Sequence, residues 1–197
     1  MPGPARREQL LAAARHVFIE HGYHAAAMDD IAARAGVSKP VLYQHFPGKL
    51  ELYLALLDTH TDELVRRVRA AIAATDDNQA RVHNAISAYF DFVDADGGDR
   101  GAYRLVFESD LRNDPAVDER VERGSRACMR AVADTIASDT GLPQAQAELL
   151  SVALTGLSEV AARYWLDTER AVPKAEAIRL LETLAWRGIS GFPRQAD

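Results

Sequence analysis

Hydrophobic residues recur along the chain at intervals of three and four positions, which places them on one face of an α-helix. One clear stripe runs from Val117 through Val121, Cys128 and Val132 to Ile136. Alternating runs of β-branched residues, which mark half-buried strands, are nearly absent, while Ala, Leu, Arg and Glu dominate. The pattern therefore predicts an all-α protein of about nine helices.

Glycine, proline and acidic residues predict where these helices begin and end. Gly22 suits the left-handed conformation that ends the first helix, and residues 141–143 (Gly-Leu-Pro) separate two long ones. Asp114 is expected to cap the helix that begins at Pro115. After the helix that ends at Gly22, the predicted spans are about 28–35, 39–45, 49–74, 79–95, 101–112, 115–139, 143–167 and 173–190.

Residues 28–46 have the residue types that a helix-turn-helix requires. Gly36 stands where the tight turn between two short helices needs a positive φ, and Ala32 is small where the helices cross. Ser38 is placed to cap the second short helix, and Pro40 falls in its first turn. The exposed side of that helix is expected to enter a DNA major groove.

Further motifs between about residues 7 and 57 match the pattern of one protein family. They are Phe18, Gly22-Tyr23, Asp30-Ile31-Ala32, Ala35-Gly36-Val37-Ser38, Leu42-Tyr43, His45-Phe46, and Lys49 followed by Leu52. With them the chain resembles the TetR/AcrR family of one-component transcription regulators. One departure is the run 25–27, Ala-Ala-Ala, where members often carry a capping Thr or Ser; its loss could cost about 1 kcal/mol.

The resemblance implies an N-terminal three-helix helix-turn-helix DNA-binding domain, 1–48, and a C-terminal helical ligand-binding and dimerisation domain, 49–197. It also implies a homodimer with one recognition helix per subunit on a palindromic double-stranded DNA operator. A repressor that releases the operator when an unidentified small molecule binds the C-terminal domain is the family default, and activation is the alternative.

The implied DNA contacts are Ser38, Lys39, Pro40, Val41, Tyr43, Gln44, His45 and Lys49. Tyr43, His45 and Lys49 are expected to meet phosphates, whereas Lys39, Pro40, Val41 and Gln44 are better suited to base edges. The amide of Gln44 can pair with adenine through two hydrogen bonds. Because aromatic residues at helical spacing also form cores, Phe46 is expected to be buried, and Tyr43 to contact DNA with a partly buried ring.

The predicted helix 143–167 is apolar around nearly its whole circumference, so more than one side must be covered. A second copy of the chain is the simplest cover for the side that the subunit leaves open, and a single large monomeric core is the alternative. The predicted dimer interface consists of Ala153, Gly156, Leu157, Val160, Tyr164, Ile178, Leu181, Leu184 and Ala185.

Aromatic residues gather in the predicted helices 79–95 and 101–112, where the resemblance implies an inducer pocket. The predicted ligand-binding residues are Tyr89, Phe90, Tyr103, Phe107, Arg126, Met129, Ser158 and Trp165. The alternative is that the aromatic stripe belongs to the ordinary core.

The net charge of −6 is unevenly distributed. Residues 1–50 hold six Lys and Arg against four Asp and Glu, and the remainder holds 17 against 25. A weakly basic N-terminal part on an acidic body is consistent with DNA contact by that part alone, although chance can produce the same asymmetry.

Other classes of protein lack their usual sequence signals. The longest apolar run is too short to span a membrane, and the charged N-terminal segment predicts an amphipathic helix, not a signal peptide. One cysteine allows no internal disulfide, which favours a cytoplasmic protein. Since no catalytic, metal-binding or nucleotide-binding motif occurs, no catalytic residue, metal or cofactor is expected. A helical interaction module that has lost DNA binding is the remaining alternative.

Overall fold

The structure, a computed structural model, describes residues 3–94, 111 and 113–188. These residues form eight helices and no strand, which confirms the all-α prediction. The helices are α1 (Gly3–Ala25), α2 (Met28–Arg34), α3 (Lys39–His45), α4 (Lys49–Ala73), α5 (Asn78–Asp94), α6 (Pro115–Thr140), α7 (Gln144–Asp167) and α8 (Lys174–Arg187). Apart from Leu111, the predicted helix over 101–112 lies outside the described residues.

Local signals place most helix ends close to the predicted positions, although α1, predicted to end at Gly22, continues to Ala25. The backbone of Gly22 is non-helical (φ 73°, ψ 168°), after which helical turns resume up to Ala25. The backbone N–H of Ala116 donates a hydrogen bond of 2.9 Å to the carboxylate of Asp114, and Pro115 is the first residue of α6. Asp114 is therefore the N-cap of α6, as predicted.

The described residues fall into two compact units. The first contains residues 3–62 and those from 111 to 123, and the second contains residues 63–94 and 124–188. Helices α4 and α6 thus contribute residues to both units. The domain division predicted at 48/49 coincides with the start of α4 and stays a prediction.

The first unit is built around the buried face of α1. Its fully or almost fully buried residues include Leu10, Ala14, Val17, Phe18, Ile31, Leu42, Leu52 and Leu57. An aromatic cluster continues this core, because the rings of Phe18 and Tyr23 each lie 5.2 Å from the ring of Tyr53. These contacts join α1 to the first turns of α4.

The second unit is organised by α5, which packs against both α7 and α8. The rings of Phe90 and Trp165 lie 5.3 Å apart in its core. On the surface, the carboxylate of Glu182 accepts hydrogen bonds from Gln79 (2.7 Å) and pairs with His83 (2.9 Å), which ties α8 to α5. None of the described helices has the length and apolar character needed to cross a membrane.

Candidate nucleic-acid interface

Helices α2 and α3 are joined by a tight turn at Gly36. Gly36 has φ 63°, as predicted, which glycine adopts without steric cost. Its N–H donates to the carbonyl of Ala33 (3.1 Å), and the N–H of Val37 donates to that of Ala32 (3.0 Å). With Leu42 fully buried, this turn presents one side of α3 to solvent.

Side chains of α1 hold the turn and the end of α3 in place. The amide of Gln9 donates a 2.7 Å hydrogen bond to the carbonyl of Ala35, at the end of α2. The guanidinium of Arg7 lies 5.2 Å from the ring centre of Phe46, which is buried as predicted. Recognition helix and scaffold therefore form one packed element.

The predicted DNA-contact residues of α3 lie on its accessible side. Tyr43 is 41% exposed, so its ring is partly covered as predicted. The remaining positions divide into exposed Ser38, Lys39, Pro40 and Gln44 and half-buried Val41 and His45. Ser38 occupies the N-cap position with extended backbone but makes no side-chain capping hydrogen bond to α3, and Pro40 is in the first turn.

Lys39 is paired with an acidic residue that sequence reasoning did not single out. Its ammonium lies 2.7 Å from a carboxylate oxygen of Asp29, in the first turn of α2. This hydrogen bond raises the pKa of Lys39. Because Asp29 and Lys39 are ten positions apart and separated by a turn, the local sequence pattern gives no signal for their contact.

Lys49, the first residue of α4, contacts the end of α1. Its ammonium donates to the backbone carbonyls of Tyr23 (2.8 Å), His24 (3.2 Å) and Ala26 (3.0 Å). It also lies 4.6 Å from the ring centre of Tyr23. Since an ammonium has three N–H donors, these bonds use its full capacity. The predicted phosphate contact of Lys49 stays a prediction beside this internal role.

Helix α2 begins without a side-chain cap, as the Ala-Ala-Ala run predicts. Ala27 is the N-cap residue, with extended backbone (φ −106°, ψ 144°), and Asp29 and Asp30 supply negative charge in the first turn. Ala27→Ser is expected to raise the free energy of unfolding by about 1 kcal/mol, because the serine hydroxyl can accept a hydrogen bond from a backbone N–H of the first turn. Urea denaturation measures this gain. Ala25→Ser, outside the cap position, is the control, and an equal gain there would contradict the capping explanation.

Two family models match the chain at positions that agree with this geometry. One, described as bacterial regulatory proteins of the tetR family, matches residues 10–56. The other, described as a tetracyclin repressor-like C-terminal domain, matches residues 79–188, more than half of the chain. The chain belongs to the TetR family. It is accordingly a DNA-binding transcription regulator and not an enzyme.

Relatives and solved structures agree with this membership. The HTH-type transcriptional activator FasR of Mycolicibacterium smegmatis is 48% identical over 193 residues, which is 98% of this chain and 87% of FasR. A tetR-family regulator from Streptomyces coelicolor has a TM-score of 0.76 and 30% identity, over 96% of this chain and 82% of that one. Bacillus subtilis FadR, solved with stearoyl-CoA, shares the fold (TM-score 0.75, 19% identity, 92% of this chain and 98% of that one).

The second unit of this TetR-family chain contains a partly open cavity of about 400 Å³. Five helices line it: Ile72 from α4; Asn78, Arg81, Val82, Ala85, Ile86 and Tyr89 from α5; Val132, Thr135, Ile136, Asp139 and Thr140 from α6; Leu150, Ala153, Leu154, Thr155, Leu157 and Ser158 from α7; and Ala185 and Trp186 from α8. The wall is therefore mainly aliphatic.

Several polar groups of the cavity wall already have partners within the protein. Arg81 forms an ion pair with Asp139 and donates to the side chain of Asn78 (3.0 Å). The hydroxyl of Ser158 donates to the carbonyl of Leu154 (2.8 Å) within α7. Burial raises the pKa of the Tyr89 hydroxyl, which is hydrogen bonded to Cys128. The wall thus carries no uncompensated charge among these groups.

Two of the eight predicted ligand-binding residues, Tyr89 and Ser158, line this cavity. Phe90 and Trp165 pack on each other in the core, and Trp165 donates to the carbonyl of Val172 (2.7 Å). Of the others, Met129 is half-buried, Arg126 is exposed, and Tyr103 and Phe107 lie outside the described residues. Val132 and Ile136 belong to the predicted apolar stripe of one helix face, but the pattern has no signal that distinguishes a cavity wall from a filled core.

Helices α7 and α8 expose an apolar face, which we call the α7/α8 face. Its most accessible members are Leu149 (71%) and Tyr164 (69%). It further contains Leu150, Val152, Val160, Leu180, Leu184 and Trp186, all exposed. Of the predicted interface residues, Val160, Tyr164, Leu184 and Ala153 are exposed, Gly156, Leu157, Leu181 and Ala185 are half-buried, and Ile178 (6%) belongs to the subunit's own core.

Proposed function

We propose that this TetR-family regulator reads a palindromic operator with α3 and changes its DNA affinity when a small molecule binds in the cavity of the second unit. The observation that carries the proposal is the exposed polar side of α3 on a turn held by Gln9 and Arg7. A short helix presented in this way fits the dimensions of a DNA major groove.

Within this proposal the residues of α3 have two tasks. The base edges are contacted by Lys39, Pro40, Val41 and Gln44, which therefore determine the sequence preference. The phosphates are contacted by Ser38, Tyr43 and His45, which position the helix on the duplex. Lys49 is assigned to a phosphate in the family pattern. Its three carbonyl contacts favour a supporting role instead.

Gln44→Ala is expected to weaken operator binding about tenfold and to relax the preference at one base step, since one bidentate base contact is lost. Tyr43→Ala is expected to weaken binding to operator and unrelated duplex by similar factors, because a phosphate contact does not depend on sequence. Anisotropy titrations on the operator, on single-step variants and on a shuffled duplex measure both effects. If Gln44→Ala lowers the affinity for operator and shuffled DNA by equal factors, Gln44 does not contact a base edge.

The proposed assembly is a homodimer formed through the α7/α8 face. Large apolar side chains such as Leu149 and Tyr164 are left in solvent by the single chain, and a face of this kind on a stable protein marks an interaction surface. The small residues Ala153 and Gly156 allow two copies of α7 to approach closely. In the dimer the two α3 helices would read half-sites about one turn of DNA, 34–36 Å, apart.

The proposed effector is a molecule with a substantial apolar part. The cavity offers an aliphatic wall, and Arg81 is already balanced by Asp139. FadR of Bacillus subtilis was solved with stearoyl-CoA, a ligand with a long apolar chain. A ligand changes DNA affinity only as far as it binds the DNA-competent and incompetent states differently. Helices α4 and α6, which contribute to both units, are the proposed carriers of that change.

Whether the protein represses or activates transcription depends on where its operator lies relative to the promoter. The family default predicts repression, whereas the relative with 48% identity is named an activator, which favours activation for this chain. Transcription in vitro from a promoter that carries the operator, with and without the protein, separates the two.

The experiment that tests the function is capture of sheared DNA from the host genome by the purified protein, followed by sequencing. Enrichment of a few palindromic sites supports a specific operator, and the genes beside them suggest the effector class. Absence of enrichment for a folded protein, at low salt and after extraction of apolar ligands, contradicts the proposal and favours an interaction module without DNA binding.

A further inference from the structure

The ion pair between Asp29 and Lys39 lies at the surface where α3 meets DNA in the proposed function. The Lys39 ammonium is 2.7 Å from the Asp29 carboxylate, with the two side chains 56% and 65% exposed. Lys39 is the only lysine or arginine between residues 35 and 48. It is therefore the one permanent cation that α3 and its flanking turns bring to the duplex.

This arrangement changes what Lys39 offers to a DNA phosphate. A phosphate that approaches the ammonium must displace a carboxylate already in contact, and it is repelled by the charge of Asp29 once displaced. Non-specific affinity comes from cations that replace counterions along the phosphate backbone. A lysine that enters binding already neutralised adds little to that affinity.

On the operator, a base edge can compete with Asp29 for the Lys39 ammonium. An exposed ion pair is weak, so a second partner with good geometry can replace it. Guanine presents two acceptors, O6 and N7, at a fixed place in the major groove. Only when Gln44 and Tyr43 are in register with their own contacts is Lys39 held opposite such an edge. Loss of the ion pair is thus compensated on the operator and not on other DNA.

We propose that Asp29 is a specificity-determining residue that, by pairing with Lys39, weakens binding to non-operator DNA more than binding to the operator. The inference rests on the proposed function, in which α3 reads the operator. Asp29 acts through Lys39 and contacts no base itself. Its effect is therefore measured as the ratio of the two affinities.

The test compares Asp29→Asn with wild type on the most enriched site of the genomic capture and on a shuffled duplex of the same length. At about 50–200 mM salt, Asp29→Asn is expected to tighten binding to the shuffled duplex about threefold and operator binding less than twofold. The operator preference then falls, and the salt dependence on shuffled DNA steepens by about one unit per subunit.

Asp30→Asn is the matched control. Asp30 also lies in the first turn of α2 and carries the same charge, but within the part of the chain that the structure describes it forms no ion pair with Lys39. Its substitution reports the general effect of removing one negative charge beside DNA. Asp29→Asn in a Lys39→Ala background is expected to match Asp30→Asn, because the pair no longer exists.

The outcomes separate the inference from the proposed function. If wild type prefers the operator but Asp29→Asn and Asp30→Asn change binding alike, the inference is wrong and the function stands. Loss of operator affinity in Asp29→Asn, with circular dichroism unchanged, also overturns it, because Asp29 then helps Lys39 on the operator. If wild type shows no salt-dependent DNA binding, both fail together.

Discussion

Lys49→Met is expected to lower the free energy of unfolding by about 2–3 kcal/mol, since it removes a charged donor from three backbone carbonyls. The carbonyls of Tyr23 and His24 lie in the last turn of α1 and that of Ala26 directly follows it, and all three lie within 3.2 Å of the Lys49 ammonium. Contact of the cation with the Tyr23 ring adds about 0.5–1 kcal/mol to the loss. Urea denaturation followed by circular dichroism measures the change.

The same variant separates the two roles considered for Lys49. Lys39→Met, which removes a nearby lysine held in an exposed ion pair with Asp29, is the control and is expected to leave stability nearly unchanged. If Lys49 acts mainly on a phosphate, Lys49→Met will instead cost less than about 1 kcal/mol and reduce the salt dependence of DNA binding by about one unit per subunit. That result would contradict the supporting role.

Tyr164→Arg is expected to abolish the proposed dimer, raising its dissociation constant by about 100-fold or more. Tyr164 is 69% exposed in the single chain, on the α7/α8 face that association would bury. An unpaired guanidinium buried there has no compensating partner. Sedimentation velocity measures the loss, and operator affinity should fall with it because each half-site then binds a separate subunit.

Val172→Arg supplies the matched control for this substitution. Val172 is also exposed and apolar, but it lies in the loop between α7 and α8 and is not one of the residues that define the α7/α8 face. It is expected to leave the dimer intact. A wild-type protein that sediments as a monomer at micromolar concentration, or a Tyr164→Arg protein that remains dimeric, would refute association through this face.

Local signals were enough to predict most of the fold. Asp114 and Pro115 define the start of α6 by a cap and a missing N–H, and Gly36 defines the turn by its positive φ. Each of these signals acts within a few residues of sequence. The exposed side of α3 followed from the same local pattern, because Leu42 and Phe46 fix which side is buried.

Features that depend on distant partners could not be predicted. Lys49 binds carbonyls 23 to 26 residues away, and Asp29 meets Lys39 across a turn. Ile178 was predicted at the dimer interface, yet helix periodicity cannot say whether a stripe faces its own core or a second chain. The cavity has the same difficulty, because it depends on how completely side chains of five helices fill one space.

Cys128 allows the opening of the second unit to be measured without introducing a new reactive residue. Its thiol is 1% exposed, and burial raises its pKa to about 11, so the reactive thiolate is scarce while the unit is closed. It is the single cysteine of the chain. Alkylation by a thiol reagent therefore proceeds through transiently opened molecules, and its rate reports their population. A ligand that fills the cavity beside Tyr89 would slow that reaction, so an apolar compound library can be screened by mass spectrometry before any operator is known.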